Sequence, residues 1–292
     1  MNTLKNTSYA RTFAFIAVFF IASLSAFAQI PASKHVVMVL EENHSYSSVI
    51  GSSSMPYLNS LASKYTLATN YYANTHPSIG NYFMLTTGKI ITNNDGYSGT
   101  VTVDNIVRRI MTAGKTWKSY AESLPSTGYI GGDSGLYSKH HNPFAYLSDV
   151  VNSSNQRQNL VSFTQFKTDR DANQLPDYSF VIPNKCNDGH DCSLATADGW
   201  LKTNIAPLLA TAPFQTGGDG LLMIVFDESA MSDTAHGGGR VAMVVVGPKV
   251  KRGFRSVAYY QHQSALRTAL KAMGISTYPG ASGIVSSFTD MF

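Results

Sequence analysis

Four runs of consecutive apolar residues mark the chain, at 35–40 (HVVMVL), 178–182 (YSFVI), 221–226 (LLMIVF) and 241–246 (VAMVVV). Each is short, β-branched or apolar throughout, and ended by a polar residue, a proline or a glycine. A strand that reads apolar without alternation is covered on both faces, so these runs predict the interior strands of a sheet packed between helices. Helical patterns fall between them. Residues 56–63 begin at Pro56, 78–87 follow Pro77 and stop at Gly88, and 104–113 stop at Gly114. Residues 198–209 and 264–273 carry apolar positions at i, i+3 and i+4. Strands alternating with helices predict an α/β fold: a three-layer α/β/α sandwich with a largely parallel central sheet and crossover helices. Segment 88–99, rich in Asn, Gly, Thr and Ser, reads as a loop, and so does 149–158. The chain has no internal repeat and no low-complexity tract.

The first 28 residues stand apart from this pattern. Lys5 and Arg11 precede an apolar run at 12–24, and small residues end in Ala26-Phe27-Ala28. The run is shorter than the ~20 residues of a spanning helix, so it predicts a signal peptide cleaved after Ala28; the rival reading is an uncleaved N-terminal membrane anchor. The mature domain is then 29–292, which is 292 less 28, or 264 residues, ample for one large α/β domain. Losing the two charges of Lys5 and Arg11 takes the formal charge from +4 to +2. No basic cluster remains, which excludes nucleic acid as a partner, and no later apolar run reaches spanning length. The two cysteines, Cys186 and Cys192, lie six positions apart. In an oxidising compartment that spacing suits a disulfide across a short loop; the rival is a pair of metal thiolates without a CxxC partner. The predicted location is periplasmic or secreted.

Ligands of an open α/β sheet collect past the carboxyl ends of its strands, so polar residues just after the apolar runs carry the chemistry. The first run leads into Glu41-Glu42-Asn43-His44 and the third into Asp227-Glu228-Ser229. Two acidic pairs at strand ends are costly to bury without a cation, and hard divalent ions take such oxygen ligands. The alternatives are a solvated turn for the first pair and a helix N-cap at Asp227 for the second. Ser78 opens the helix at 78–87, where free N–H groups and the positive end of the dipole favour a phosphate dianion and a nearby alkoxide. Coordination to a divalent ion would activate that hydroxyl; otherwise Ser78 is a cap. Two further loops carry histidines: Lys139-His140-His141-Asn142-Pro143, and Cys186 to Cys192 with Asp188, His190 and Asp191. His190 is placed to bind phosphate or to protonate a leaving alcohol, whereas His140 has an equally good structural reading.

Taken in order, LEENH (40–44), HPSIGNY (76–82), HNPF (141–144), PN-x-CND-x-HDC (183–192) and FDE (226–228) resemble the bacterial phosphoesterase family. That family contains acid phosphatases and phosphatidylcholine-type phospholipases C and belongs to the alkaline-phosphatase superfamily. The match covers nearly all of 29–292. The resemblance implies an alkaline-phosphatase-like fold and a catalytic metal held by Glu42, Asn43, Ser78, Asp227 and Glu228, with Ser78 as nucleophile. It implies that His141 and His190 act at the phosphate, with His140, Asn81, Asp188 and His262 as further candidate substrate-binding residues. The family usually has Trp or Tyr where this chain has Phe226, and the segment 229–240, with Gly237-Gly238-Gly239, is glycine-rich beyond the common pattern.

The expected function is an exported, metal-dependent phosphatase that hydrolyses phosphoric monoesters through a phosphoserine, with lipid head groups such as phosphoinositides among its candidate substrates. Oxygen ligands point to Ca, Mg or Mn, and superfamily habit to Zn. Monoesters are favoured because the chain lacks the large C-terminal additions of phospholipase C relatives. The alternatives are a diesterase of phospholipase C type, an anion-binding protein that has lost the reaction, and phosphotransfer to an alcohol.

Overall fold

The computed structural model describes residues 1, 3, 4 and 29–292; the expected signal peptide otherwise lies outside the described residues. Ten strands form: β1 (His35–Glu41), β2 (Thr66–Ala68), β3 (Tyr71–Tyr72), β4 (Trp117–Ala121), β5 (Leu160–Ser162), β6 (Tyr178–Ile182), β7 (Gly220–Phe226), β8 (Met243–Val246), β9 (Phe254–Ser256) and β10 (Tyr260–Gln261). Eight make one sheet in the order β5-β4-β6-β1-β7-β8-β2-β9, and β10 pairs with β3 apart from it. Every residue of β1, β6, β7 and β8 is buried, which requires cover on both faces of the sheet. The helices Ser78–Thr87, Ile106–Thr112 and His262–Ala272 pack on one another, while Pro56–Lys64 and Leu194–Asn204 pair separately. This is the expected α/β sandwich.

The sheet is largely parallel, as expected, with one strand running against the rest. β8 runs antiparallel to both of its neighbours, β7 and β2, whereas all other neighbouring pairs are parallel. The chain reaches β8 from β7 through the 227–242 loop and not through a crossover helix. A correction concerns 149–158, read as a loop, which holds the short helices Ser148–Val151 and Ser154–Arg157. Its polar residues serve as caps and counter-ions: Ser153 accepts from the Gln156 N–H, and Asp149 binds Arg108 and Asn105. The helix expected at 198–209 starts earlier, at Leu194, and breaks after Asn204, just before Pro207 removes a backbone donor.

The helix Ser78–Thr87 matches its expected bounds, and all ten of its residues are buried. Gly88 ends it in the left-handed region, at φ 67°. Gly80 lets the 92–95 loop lie against its first turn, since a Cβ there would meet Asn93 Oδ1 at 2.6 Å and the Thr92 carbonyl at 3.3 Å. Among the described residues no helix is long and apolar enough to cross a membrane.

Candidate active site

β1 and β7 are parallel neighbours with Glu41 paired to Phe226, so the residues that follow them leave the sheet side by side at one rim. The Asp227 N–H donates to the Glu41 carbonyl at 3.0 Å, and the Asn43 N–H to Asp227 Oδ1 at 3.1 Å. β6, on the other side of β1, delivers the Cys186–Cys192 loop to the same rim. There the Glu42 N–H donates to the Asp188 carbonyl at 2.9 Å. The disulfide is formed, with an S–S distance of 2.05 Å.

The serine helix points its first turn at this rim. Ser78 Oγ donates to Glu42 Oε2 at 3.1 Å, and Tyr82 OH donates to Glu42 Oε1. Residues 78 and 82 share a helix face by their i, i+4 spacing, so two hydroxyls meet one carboxylate. The Tyr82 ring stacks on His141 with centroids 5.2 Å apart and planes within 5°. His141 in turn lies between acids, its Nε2 3.4 Å from Glu42 Oε1 and its Nδ1 3.5 Å from Asp188 Oδ2.

Electrostatically the rim is one-sided. Glu41, Glu42, Asp188, Asp227 and Glu228 are all buried, and among the described residues no lysine or arginine pairs with them. Burial pushes the Asp227 carboxyl up to about 6, with the Ser78 hydroxyl opposing. Burial and then Asp227 push Glu228 up to about 9, and burial takes Asp188 to about 7. Glu41 and Glu42 are raised well above the usual carboxylate range, first by burial and then by neighbouring acids. Both Glu41 oxygens, Asp227 Oδ2, Asp188 Oδ2 and His141 Nε2 lack a hydrogen-bond partner. Orphaned buried oxygens in an excess of acid fit a divalent cation, which would supply the missing positive charge.

Two donor sets are available to such an ion. Glu42, His141 and Asp188 each offer a ligand atom, all within 4.8 Å of one another, and this trio could hold a metal ion. The set expected from the sequence shares only Glu42 with that trio. Of its members, Ser78 touches Glu42 and lies beside Asp227 and Glu228, and Asn43 joins Asp227 through its N–H.

The other expected residues occupy varied positions. His190 is exposed, its Nδ1 2.7 Å from Asp191 Oδ1 and its ring centroid 6.0 Å from that of His141. His140 packs edge-on against His141 and bonds Ser138 Oγ, with burial holding its imidazole below the ordinary value. Asn81 spends its amide on the preceding turn, accepting from the Asn74 and Thr75 N–H groups and donating to the Thr75 carbonyl. His262 is fully buried behind the acids. It donates from Nε2 to the Asp227 carbonyl at 2.6 Å and accepts from Tyr71 OH at Nδ1, 2.9 Å. In this geometry Asn81 and His262 brace the site and leave no polar side-chain atom for substrate.

Three residues at the site were not singled out by the sequence. Tyr82 carries a signal, its helical spacing from Ser78. His76 holds Glu228 through Nδ1, 2.9 Å from Oε2, while donating from Nε2 to the Asp233 carbonyl. Asp95, inside the segment read only as a loop, accepts from the Ile79 N–H at 3.1 Å, where a phosphate oxygen would bind.

Comparison with known proteins identifies the family and the shared fold. The pattern of the "Phosphoesterase family" matches residues 51–276. The chain is 32% identical over 245 residues to a phosphatidylinositol-3-phosphatase of Mycobacterium tuberculosis, covering 82% of this chain and 78% of that protein. It is 32% identical over 247 residues to a probable acid phosphatase of Kluyveromyces lactis, covering 80% of this chain but 57% of that longer protein. The fold is shared with the lipoteichoic acid synthase LtaP of Listeria monocytogenes, at a TM-score of 0.63 and 10% identity over 90% of this chain and 78% of that one. A Vibrio parahaemolyticus protein of the alkaline phosphatase superfamily gives 0.60 at 11% identity, over 89% and 72%. The chain belongs to the phosphoesterase family and is, by class, a phosphoric-ester hydrolase.

Proposed function

We propose that the protein is an exported, divalent-cation-dependent phosphatase that hydrolyses phosphoric monoesters through a phosphoserine at Ser78. The observation that carries this reading is the Ser78 hydroxyl, at the first turn of a buried helix and 3.1 Å from Glu42 Oε2, among carboxylates that have no lysine or arginine partner among the described residues. A cation held by Glu42, Asn43, Ser78, Asp227 and Glu228 would favour the ionised serine and offset charge on the phosphoryl oxygens.

The chain's own groups do the rest. Ser78 Oγ attacks phosphorus in line, forming an O–P bond as the ester P–O bond breaks. The Ile79 N–H and the helix dipole receive an equatorial oxygen once Asp95 swings aside. Burial keeps the His141 imidazole neutral, and Tyr82, Glu42 and Asp188 fix its ring, so it can donate one hydrogen bond to the phosphoryl group. His190, oriented by Asp191, is the exposed imidazole that gives the leaving alkoxide its proton. Water then attacks the phosphoserine, returning a proton to His190 as the Ser78 Oγ–P bond breaks; phosphate departs, and Ser78 takes back the proton that it passed to its hydrogen-bond partner Glu42 Oε2 on attack.

The signal peptide expected at 1–28 from the sequence and the Cys186–Cys192 disulfide support export, with 29–292 as the working domain. The name of the mycobacterial relative brings phosphoinositide head groups into the substrate range. The test is an acid quench of the working enzyme followed by mass spectrometry. A phosphoryl group on Ser78 is expected, and Ser78→Ala should lower hydrolysis of nitrophenyl phosphate by about 10³-fold or more. Full turnover by Ser78→Ala would sink the assignment.

A further inference from the structure

We propose that a cavity beside the serine helix is the leaving-group subsite, shaped for a polyhydroxylated alcohol that carries a second anionic group; this rests on the phosphatase reading above. The cavity measures about 300 Å³ and is lined by Asp95, Tyr97, Asp133, Lys139 and Tyr146, with backbone from glycines 96, 131 and 132. That volume lies at the low end for small-molecule sites, enough for one sugar-sized or cyclitol-sized ring.

Its position follows from shared residues. Asp95, one wall, bonds the N–H of the residue after the nucleophile. Lys139, another wall, immediately precedes His140 and His141. The tyrosines are anchored to the serine helix itself: Tyr97 stacks on Tyr146 at 5.8 Å, and Phe83 meets them edge-on at 6.2 and 5.4 Å. An alcohol leaving from phosphorus at Ser78 therefore has this cavity beside it.

Its chemistry follows from which groups are already committed. Without substrate Asp95 accepts from the Ile79 N–H, a bond that the phosphoryl oxygen replaces, and Asp133 accepts from the Lys139 N–H at 2.7 Å while its other oxygen lies 3.9 Å from His140 Nδ1. The Lys139 ammonium, among the described residues, makes neither an ion pair nor a hydrogen bond. It sits 4.5 Å from the centre of the Tyr146 ring. Of the charged side chains that line the cavity, Lys139 is the one cation, a compact donor suited to a phosphate or a phosphodiester, set against the carboxylates of Asp95 and Asp133. The carboxylates retain lone pairs for hydroxyl groups, and the half-buried Tyr97 ring offers apolar cover to ring C–H groups.

The test uses the purified protein with three substrates: nitrophenyl phosphate, inositol monophosphate and inositol bisphosphate. The bisphosphate should exceed the monophosphate in kcat/KM by about tenfold, mostly through KM. Lys139→Met should erase that advantage and Lys139→Arg should keep most of it. Equal kcat/KM for the two inositol phosphates, or an equal loss on all three substrates in Lys139→Met, would overturn the subsite. Calorimetric binding of inositol bisphosphate to Ser78→Ala reads the same pocket without turnover. Binding should weaken about tenfold when Lys139→Met is added, and undiminished binding counts against the proposal. If nitrophenyl phosphate is not hydrolysed at all, the phosphatase reading fails, and the binding arm still decides the subsite.

Discussion

Two groups of acids in this molecule are built in opposite ways. At the β5–β4 edge of the sheet and on the helices beside it, three acids have their counter-charges. Asp149 binds Arg108 Nε and Nη2 at 3.0 and 2.9 Å, and Asp177 binds Lys115 Nζ at 3.0 Å. Asp169 accepts from Lys118 Nζ and Tyr120 OH at 2.6 Å each and from Gln165 at 2.8 Å. In all three, partial burial raises the carboxyl but these bonds outweigh it, and the net displacement is downward. At the β1–β7 rim, Glu42, Asp188, Asp227 and Glu228 are displaced upward, with burial as the leading cause. The edge acids are finished by the fold, whereas the rim acids await a charge from outside. Stability and ligand demand are therefore carried by different carboxylates.

The largest test of that contrast is a neutral, equal-sized replacement at the rim. Asp227→Asn should lower kcat/KM on phosphate esters by about 10²–10³-fold, the scale of losing a principal electrostatic group from a preorganised site. In chelator the same variant should melt no lower than the unaltered protein, because it removes a buried charge that has no partner. A drop in Tm under chelation would place Asp227 with the edge acids and break the comparison.

Next in size is the cation's effect on folding. A ligand at about 100 times its Kd stabilises the native state by ~2.7 kcal/mol. At ~2–4 °C per kcal/mol for a chain of this size, Tm should rise by roughly 5–10 °C. The shift should vanish in Glu42→Gln, since Glu42 belongs to both donor sets. Thermal melts in chelator and then in Ca, Mg, Mn or Zn read this directly, and the ion giving the largest shift names the metal. No shift with any of the four would remove the cation from the mechanism.

The same contrast explains what the sequence disclosed. β1, β6 and β7 are legible because unbroken apolar runs have no other soluble use, and the serine helix because Pro77 and Gly88 bracket it. The strand ends disclosed Glu42, Asp227 and Glu228 because parallel neighbours bring such residues together at one rim. β4 was missed because Lys118 and Ser119 interrupt its apolar character, yet Lys118 is there to pair with Asp169. β2, β5 and β9 have three residues each, too few to show a period. Asp95 and His76 escaped because their roles arise from contacts between distant segments, Asp95 to Ile79 and His76 to Glu228, which no local spacing records. Trp117 and Tyr120 are buried in β4, and the Tyr120 hydroxyl completes the Asp169 cluster.

The smallest effect belongs to the edge, and its sign separates the two groups. A carboxyl held below its ordinary value releases its proton more readily folded than unfolded. Its contribution is full above the unfolded value, ~3.9 for Asp, and is lost as pH falls through the lower folded value. Asp169→Asn, which leaves Lys118 without its counter-ion, should therefore cost about 1–3 kcal/mol near pH 6 by urea unfolding. The cost should shrink steadily below pH 4, because acid protonates Asp169 in the unaltered protein and removes the same charge. Its activity loss on nitrophenyl phosphate should stay within about twofold, since Asp169 lies among Lys118, Tyr120 and Gln165 and touches no residue of the rim. A penalty just as large at pH 2.5 as at pH 6 would mean that Asp169 holds the edge by shape and not by charge, and the two groups of acids would no longer differ in kind.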